Sequence, residues 1–174
     1  MTDRYAKAVL TVSAAALVFI APAAAQTIVE KGDWLEAGRL SRLTDRLNVY
    51  AALESADRPL GTLDRPIIPK MLLQCHENAT AVTFHFDIYI GSDEGPLSYR
   101  LDRGAPVTEQ ASVSTEGVHI GYWRGEAIQF LNRIASAKRI LVRIKPYREG
   151  EREAEFDLTG IKRQIERVRS ACNW

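Results

Sequence analysis

The sequence predicts an α+β domain: a mostly antiparallel twisted sheet or small sandwich of six to eight strands, with two helices covering one side. Two kinds of period carry that prediction. Strict alternation, clearest in Val82, Phe84, Phe86, Ile88 and Ile90, marks strands with one buried face, and the short connections favour antiparallel pairing. A change to helical spacing occurs at 126–136 and again at the C-terminus. The third observation is a pair of cysteines, Cys75 in a strand and Cys172 in the last helix.

The first 25 residues are set apart from this domain. Arg4 and Lys7 precede an apolar core from Ala8 to Ile20, and Ala23-Ala24-Ala25 forms a small-residue cleavage site before Gln26. This reads as a cleaved secretory signal, 1–25, followed by a single periplasmic domain, 26–174. The apolar core is shorter than the roughly 20 residues that span a bilayer, and no cysteine stands near the cleavage site to accept a lipid. The mature chain is therefore expected to be free of stable membrane insertion. It retains 21 basic and 21 acidic side chains. With no basic excess, nucleic acid is an unsuitable partner.

The elements follow in order. Residues 32–45 are mostly polar and read as an irregular opening that ends Ser41-Arg42-Leu43-Thr44-Asp45. Leu47, Val49, Ala51 and Leu53 then alternate with polar or small neighbours, as a half-buried strand requires. Pro59, Gly61, Pro66 and Pro69 make 56–69 a loop, since proline donates nothing to a ladder. Met71, Leu73 and Cys75 share one face of the next strand, and His76-Glu77-Asn78 turns the chain into the long run Val82 to Ile90. An acidic turn, Gly91 to Pro96, leads to a strand holding Leu97, Tyr99 and Leu101. The pattern weakens from Arg103 to Gly117, and Val118 to Trp123 is a short strand. Ala127, Phe130, Leu131 and Ile134 line one face of a helix over 126–136. Strands around Ile140/Val142/Ile144 and Ala154/Phe156/Leu158 flank the turn at Arg148-Glu149-Gly150. The last helix, capped by Asp157 or Thr159, carries Ile161, Ile165, Val168 and Cys172 on one stripe.

That stripe puts Cys172 on the buried face of its helix, as Met71 and Leu73 do for Cys75 on its strand. In an oxidising compartment the two are expected to form a disulfide tying helix to sheet. Closing a 97-position loop is worth about 4–5 kcal/mol in the loop-entropy model. Two distant cysteines with only His76 adjacent do not make a zinc site, and no C-x-x-C spacing suggests redox chemistry. No metal or other cofactor is implied.

Catalytic signals are sparse. His85 and Asp87 share a strand face and form an acid–base couple if they meet, but a solvated strand face is the simpler reading. No G-x-S-x-G elbow occurs, Gly91 to Gly95 lacks calcium-loop spacing, and Asn78-Ala79-Thr80 reads as a turn. Arg100 and Asp102 share another strand face. With Trp34 and Trp123 they make up the candidate interaction surface, core or edge packing being the alternative for the tryptophans.

Several short stretches recur together in a known family. They are Trp34, Ser41-Arg42-Leu43-Thr44-Asp45, Leu72-Leu73-Gln74-Cys75 with Asn78-Ala79-Thr80, Tyr99-Arg100-Leu101-Asp102, Phe156-Asp157-Leu158-Thr159-Gly160 and Cys172-Asn173-Trp174. In that order they resemble the TagO/VasI family of proteins associated with bacterial type VI secretion. The resemblance implies an exported, non-enzymatic accessory protein, with envelope or secretion-system proteins as partners and no catalytic residue to carry over. Two other functions stay open from the residues: a periplasmic binding or inhibitor module for a cell-wall enzyme, using loop 55–69 or 103–117, and an envelope hydrolase using His85 and Asp87.

Overall fold

The computed structural model describes residues 34–174, so the expected signal peptide, 1–25, lies outside the described residues. Nine strands and two helices follow one another along the chain. The strands are β1 (Leu35–Leu40), β2 (Leu47–Glu54), β3 (Lys70–His76), β4 (Ala79–His85), β5 (Glu94–Leu101), β6 (Val107–Val113), β7 (His119–Trp123), β8 (Arg139–Ile144) and β9 (Arg152–Asp157). Helix α1 (Arg124–Ile134) joins β7 to β8, and α2 (Ile161–Cys172) ends the chain. All nine strands form one antiparallel sheet in the order β1-β2-β3-β4-β7-β6-β5-β8-β9.

The α+β class and the two helices agree with the sequence; the strand count of six to eight is corrected to nine. The additional strands are β1 and β6. In β1 most side chains are exposed, and in β6 only Ala111 is buried, so neither displays an apolar alternation. The acidic turn also ends early, because Glu94 and Gly95 already pair with Ser112 and Ala111. The long run from Val82 stops pairing at His85. Asp87 there takes a left-handed φ of 53°, although Phe86, Ile88 and Ile90 remain buried as their spacing requires.

Inner and outer faces follow from the register. Leu53, Met71, Phe84 and Ile120 lie opposite one another on β2, β3, β4 and β7, and Leu97, Ile144, Val142 and Phe156 continue that buried face on β5, β8 and β9. The sheet bends sharply. Five strand spacings would separate β4 from β9 by about 24 Å if it were flat, yet the rings of Phe84 and Phe156 stand 5.8 Å apart. Helix α1 fills the inside of the bend, where Phe130 meets Phe84, Tyr99 and Tyr122.

Helix α2 closes the other half of the core with Ile161, Ile165 and Val168. Its sequence-based cap is corrected. Gly160, at φ 86°, occupies the N-cap without a side-chain bond, while Asp157 Oδ1 accepts from Thr159 N and Oγ1 instead. Cys172 is bonded to Cys75, with Cα atoms 5.7 Å apart, as the two buried faces predicted. No helix of the described residues is long and apolar enough to cross a membrane.

The two sheet edges differ. Residues 56–60 lie along β9, where Ala56 N donates to Glu155 O at 3.1 Å, Glu155 N donates to Asp57 Oδ2 at 2.7 Å, and Arg152 Nε donates to Leu60 O. Along β1, helix α2 reaches the strand's backbone through Arg167 Nη2 to Ala37 O at 3.5 Å, while Arg163, Gln164 and Arg167 hold the Glu36 side chain.

Candidate functional site

Most of the singled-out residues turn out to be joints. Trp34 is 4 % exposed, and its indole donates to Thr159 O at 2.9 Å, locking the start of β1 to the start of α2. Trp174 donates to Thr80 Oγ1 at 2.8 Å, beside the disulfide and the Asn173–Asn78 contact. Asp102, at φ 50°, accepts from Lys138 N and Arg139 N at 2.9 and 3.0 Å, fixing the entry to β8. Ser41 Oγ accepts from Leu43 N and Thr44 N, and Thr44 Oγ1 donates to Glu77 at 2.5 Å. Arg100 is exposed on the outer face of β5 and forms no ion pair among the described residues. Arg100 lies in β5 with Asp102 just beyond it, Trp34 precedes β1 and Trp123 ends β7.

Trp123 is different. It is half-buried, and its indole has no hydrogen-bond partner among the described residues. It forms one wall of a cleft of about 560 Å³ on the outer face of β3, β4, β7 and β6. The outer face of β7 carries His119, Gly121 and Trp123, of which His119 and Trp123 line the cleft. Gly121 lies opposite Thr83 and Ser112, and a Cβ there would stand 2.1 Å from Val82 O and 2.7 Å from Thr83 Cα. Glycine is therefore required by the close approach of β4. Leu72 and Gln74 bound the far side, and the turn 114–116 forms the near rim.

The histidines adjoin this cleft. His85 and His119 are directly opposed on β4 and β7, with ring centroids 4.6 Å apart. Burial, helped by the nearby His85, keeps the His119 pKa below the ordinary imidazole value, so the ring stays neutral at pH 7. Asp87 Oδ1 is 3.9 Å from His85 Nε2, and His85 Nδ1 is buried with no hydrogen-bond partner. The couple has no nucleophile hydrogen-bonded to it, and no group of three metal-ligating side chains occurs among the described residues.

A second feature escaped the sequence reading. Leu40 and Leu47 face each other across β1 and β2 and are 62 % and 48 % exposed, and Leu43, at the tip between them, is 91 % exposed. Three leucines therefore stand in solvent at one hairpin end. Their sequence signal was ambiguous, because Leu47 continues the apolar alternation of β2 and looks like a core position.

Among known proteins, the family described as Type VI secretion system VasI, EvfG matches residues 47–174. No curated protein matches the chain. Of solved structures, the crystal structure of invasion associated protein B from Bartonella henselae is similar with a TM-score of 0.50. It is 10 % identical over 81 % of this chain and 96 % of that one, a likeness of fold.

Proposed function

The chain belongs to the type VI secretion system VasI family, and on that premise we propose that it is a non-enzymatic accessory protein of the periplasm that works by binding a secretion-system or cell-envelope protein. The observation that carries this reading is the leucine cluster at the β1–β2 hairpin. Exposed leucines concentrated at one hairpin end suit a partner surface better than free solvent. The roles of the residues behind the resemblance support it: Trp34, Ser41, Asp102, Thr159 and Trp174 all hold elements together, and none is placed for chemistry. A disulfide between sheet and helix suits an exported chain.

The test is affinity capture from a periplasmic extract with the oxidised chain as bait. Wild type is expected to retain sheath or membrane-complex components, and Leu43→Asp to lose at least nine-tenths of them, an order-of-magnitude expectation of about tenfold for one interface anchor. Capture of those components undiminished by Leu43→Asp would remove the hairpin from the reading. Their absence from the wild-type sample would overturn the secretion role.

One observation favours a second reading, an inhibitor of a cell-wall enzyme. Loop 55–69 is pinched by the Leu60–Pro66 bridge and by Gly61 N donating to Arg65 O at 2.8 Å. At its tip Leu63, at φ 62°, is 81 % exposed. Recovery of a cell-wall hydrolase, lost with Leu63→Asp, would select this reading.

A further inference from the structure

We propose that the cleft beneath Trp123 is a saccharide-binding site that takes a neutral hexose unit of a glycan. The inference rests on the cleft alone and not on the secretion reading.

The three tryptophans make the first point. Trp34 and Trp174 each spend their indole N–H on a distant part of the chain, whereas Trp123 lines the cleft and its indole N–H has no hydrogen-bond partner among the described residues. An indole is apolar across its face and a donor at its edge. A pyranose is the complementary object, with C–H groups across its faces and hydroxyls around its rim.

The polar lining makes the second. Gln74, Thr83 and Ser112 border the cleft, and none of their side chains is hydrogen-bonded within the described residues. An amide and two hydroxyls both donate and accept, as a hydroxyl-rich ligand requires. A purely apolar ligand would strip water from these groups and leave them unpaired, at about 1–3 kcal/mol each. Ser114 is already occupied, its Oγ accepting from His119 N at 3.3 Å.

Charge excludes anionic ligands. No lysine or arginine lines the cleft, and Glu116 stands at its rim. Hydrogen bonds from its own backbone and from Ser114 and Thr115 keep that carboxyl ionised. A phosphate or an anionic polysaccharide would meet repulsion with no compensating cation. The volume lies within the range of about 300–1,000 Å³ typical of small-molecule sites.

The probes are an N-acetylglucosamine trisaccharide, a glucose trisaccharide and, as an anionic control, a heparin-derived oligosaccharide. They are titrated into the purified oxidised chain, with calorimetry and the Trp123 indole N–H resonance as readouts. At least one neutral trisaccharide is expected to bind with a dissociation constant from about 0.1 to a few mM, as befits one stacking platform with few hydrogen bonds, and the anionic control is not. Trp123→Ala is expected to weaken binding at least tenfold and Gln74→Ala several-fold, with the urea midpoint of each variant within error of wild type. Trp123→Phe, which keeps a stacking ring, should retain part of the affinity. Failure of both neutral sugars to bind at 10 mM, about threefold above the upper expected dissociation constants, would overturn the proposal. So would binding that Trp123→Ala leaves unchanged, or a cleft that responds to peptides and to no sugar. Because the assay contains only pure protein and sugar, its failure leaves the hairpin reading intact, and the capture experiment can fail while the sugar still binds.

Discussion

Glu77 illustrates how much one side chain can hold. It sits in the two-residue turn between β3 and β4, where it and Asn78 both have left-handed φ. Hydrogen bonds from Thr44, then Ser41 and Asn48, lower its pKa from 4.5 to about 2. A carboxyl depressed on folding stabilises the native state above its unfolded pKa and loses that contribution as the pH falls through the folded value. Glu77→Gln should therefore lower the urea midpoint at neutral pH, and the gap to wild type should close between pH 4.5 and about 2. Gly121→Ala is a sharper perturbation. Its Cβ would overlap the β4 backbone, so we expect a loss of about 2–3 kcal/mol in urea unfolding, if the variant folds at all. None of this was legible residue by residue. Trp34 and Trp123 are the same letter in the sequence, and only a bond across 125 positions separates the structural indole from the free one.

Elements whose faces are cleanly divided were readable; those at the margins were not. The stripe Ile161, Ile165, Val168 and Cys172 is buried as its spacing demanded. Likewise Ala127, Phe130, Leu131 and Ile134 are the buried residues of α1, although the helix begins at Arg124. Strands β1 and β6 were missed because a strand with little burial has no pattern to display, and backbone pairing leaves no mark on composition. The importance of α1 concentrates in one ring. Phe130 is fully buried and stacks on Tyr122 at 4.6 Å while meeting Phe84 and Tyr99 edge-on. Phe130→Ala should cost about 3–5 kcal/mol, measured by chemical denaturation. A loss under 1 kcal/mol would mean that the bend closes without α1.

For the whole molecule, the sequence announced the class and the cysteine pairing but not the strand order. Neighbours such as β3 and β4 pair across a two-residue turn, whereas β4 pairs with β7 and β5 with β8, and α1 packs against β4 and β7. Such long-range choices are settled by packing the bent core, which no local window contains. The Cys75–Cys172 bond fastens the end of this path to its middle. Cys75→Ala/Cys172→Ala is expected to lose about 4 kcal/mol, with hydrogen exchange rising first in α2 and β3. Uniform exchange across the sheet would show instead that α2 holds by packing alone. The unequal edges of the sheet carry one more consequence. A sheet open at both ends can polymerise, adding copies without limit, but here 56–60 already occupies the β9 end. Among the described residues no strand pairs with the outer edge of β1, and a strand added there would have a valency of one, since the other end is already covered. Growth by that route stops at a stoichiometric pair and does not run on to a fibre.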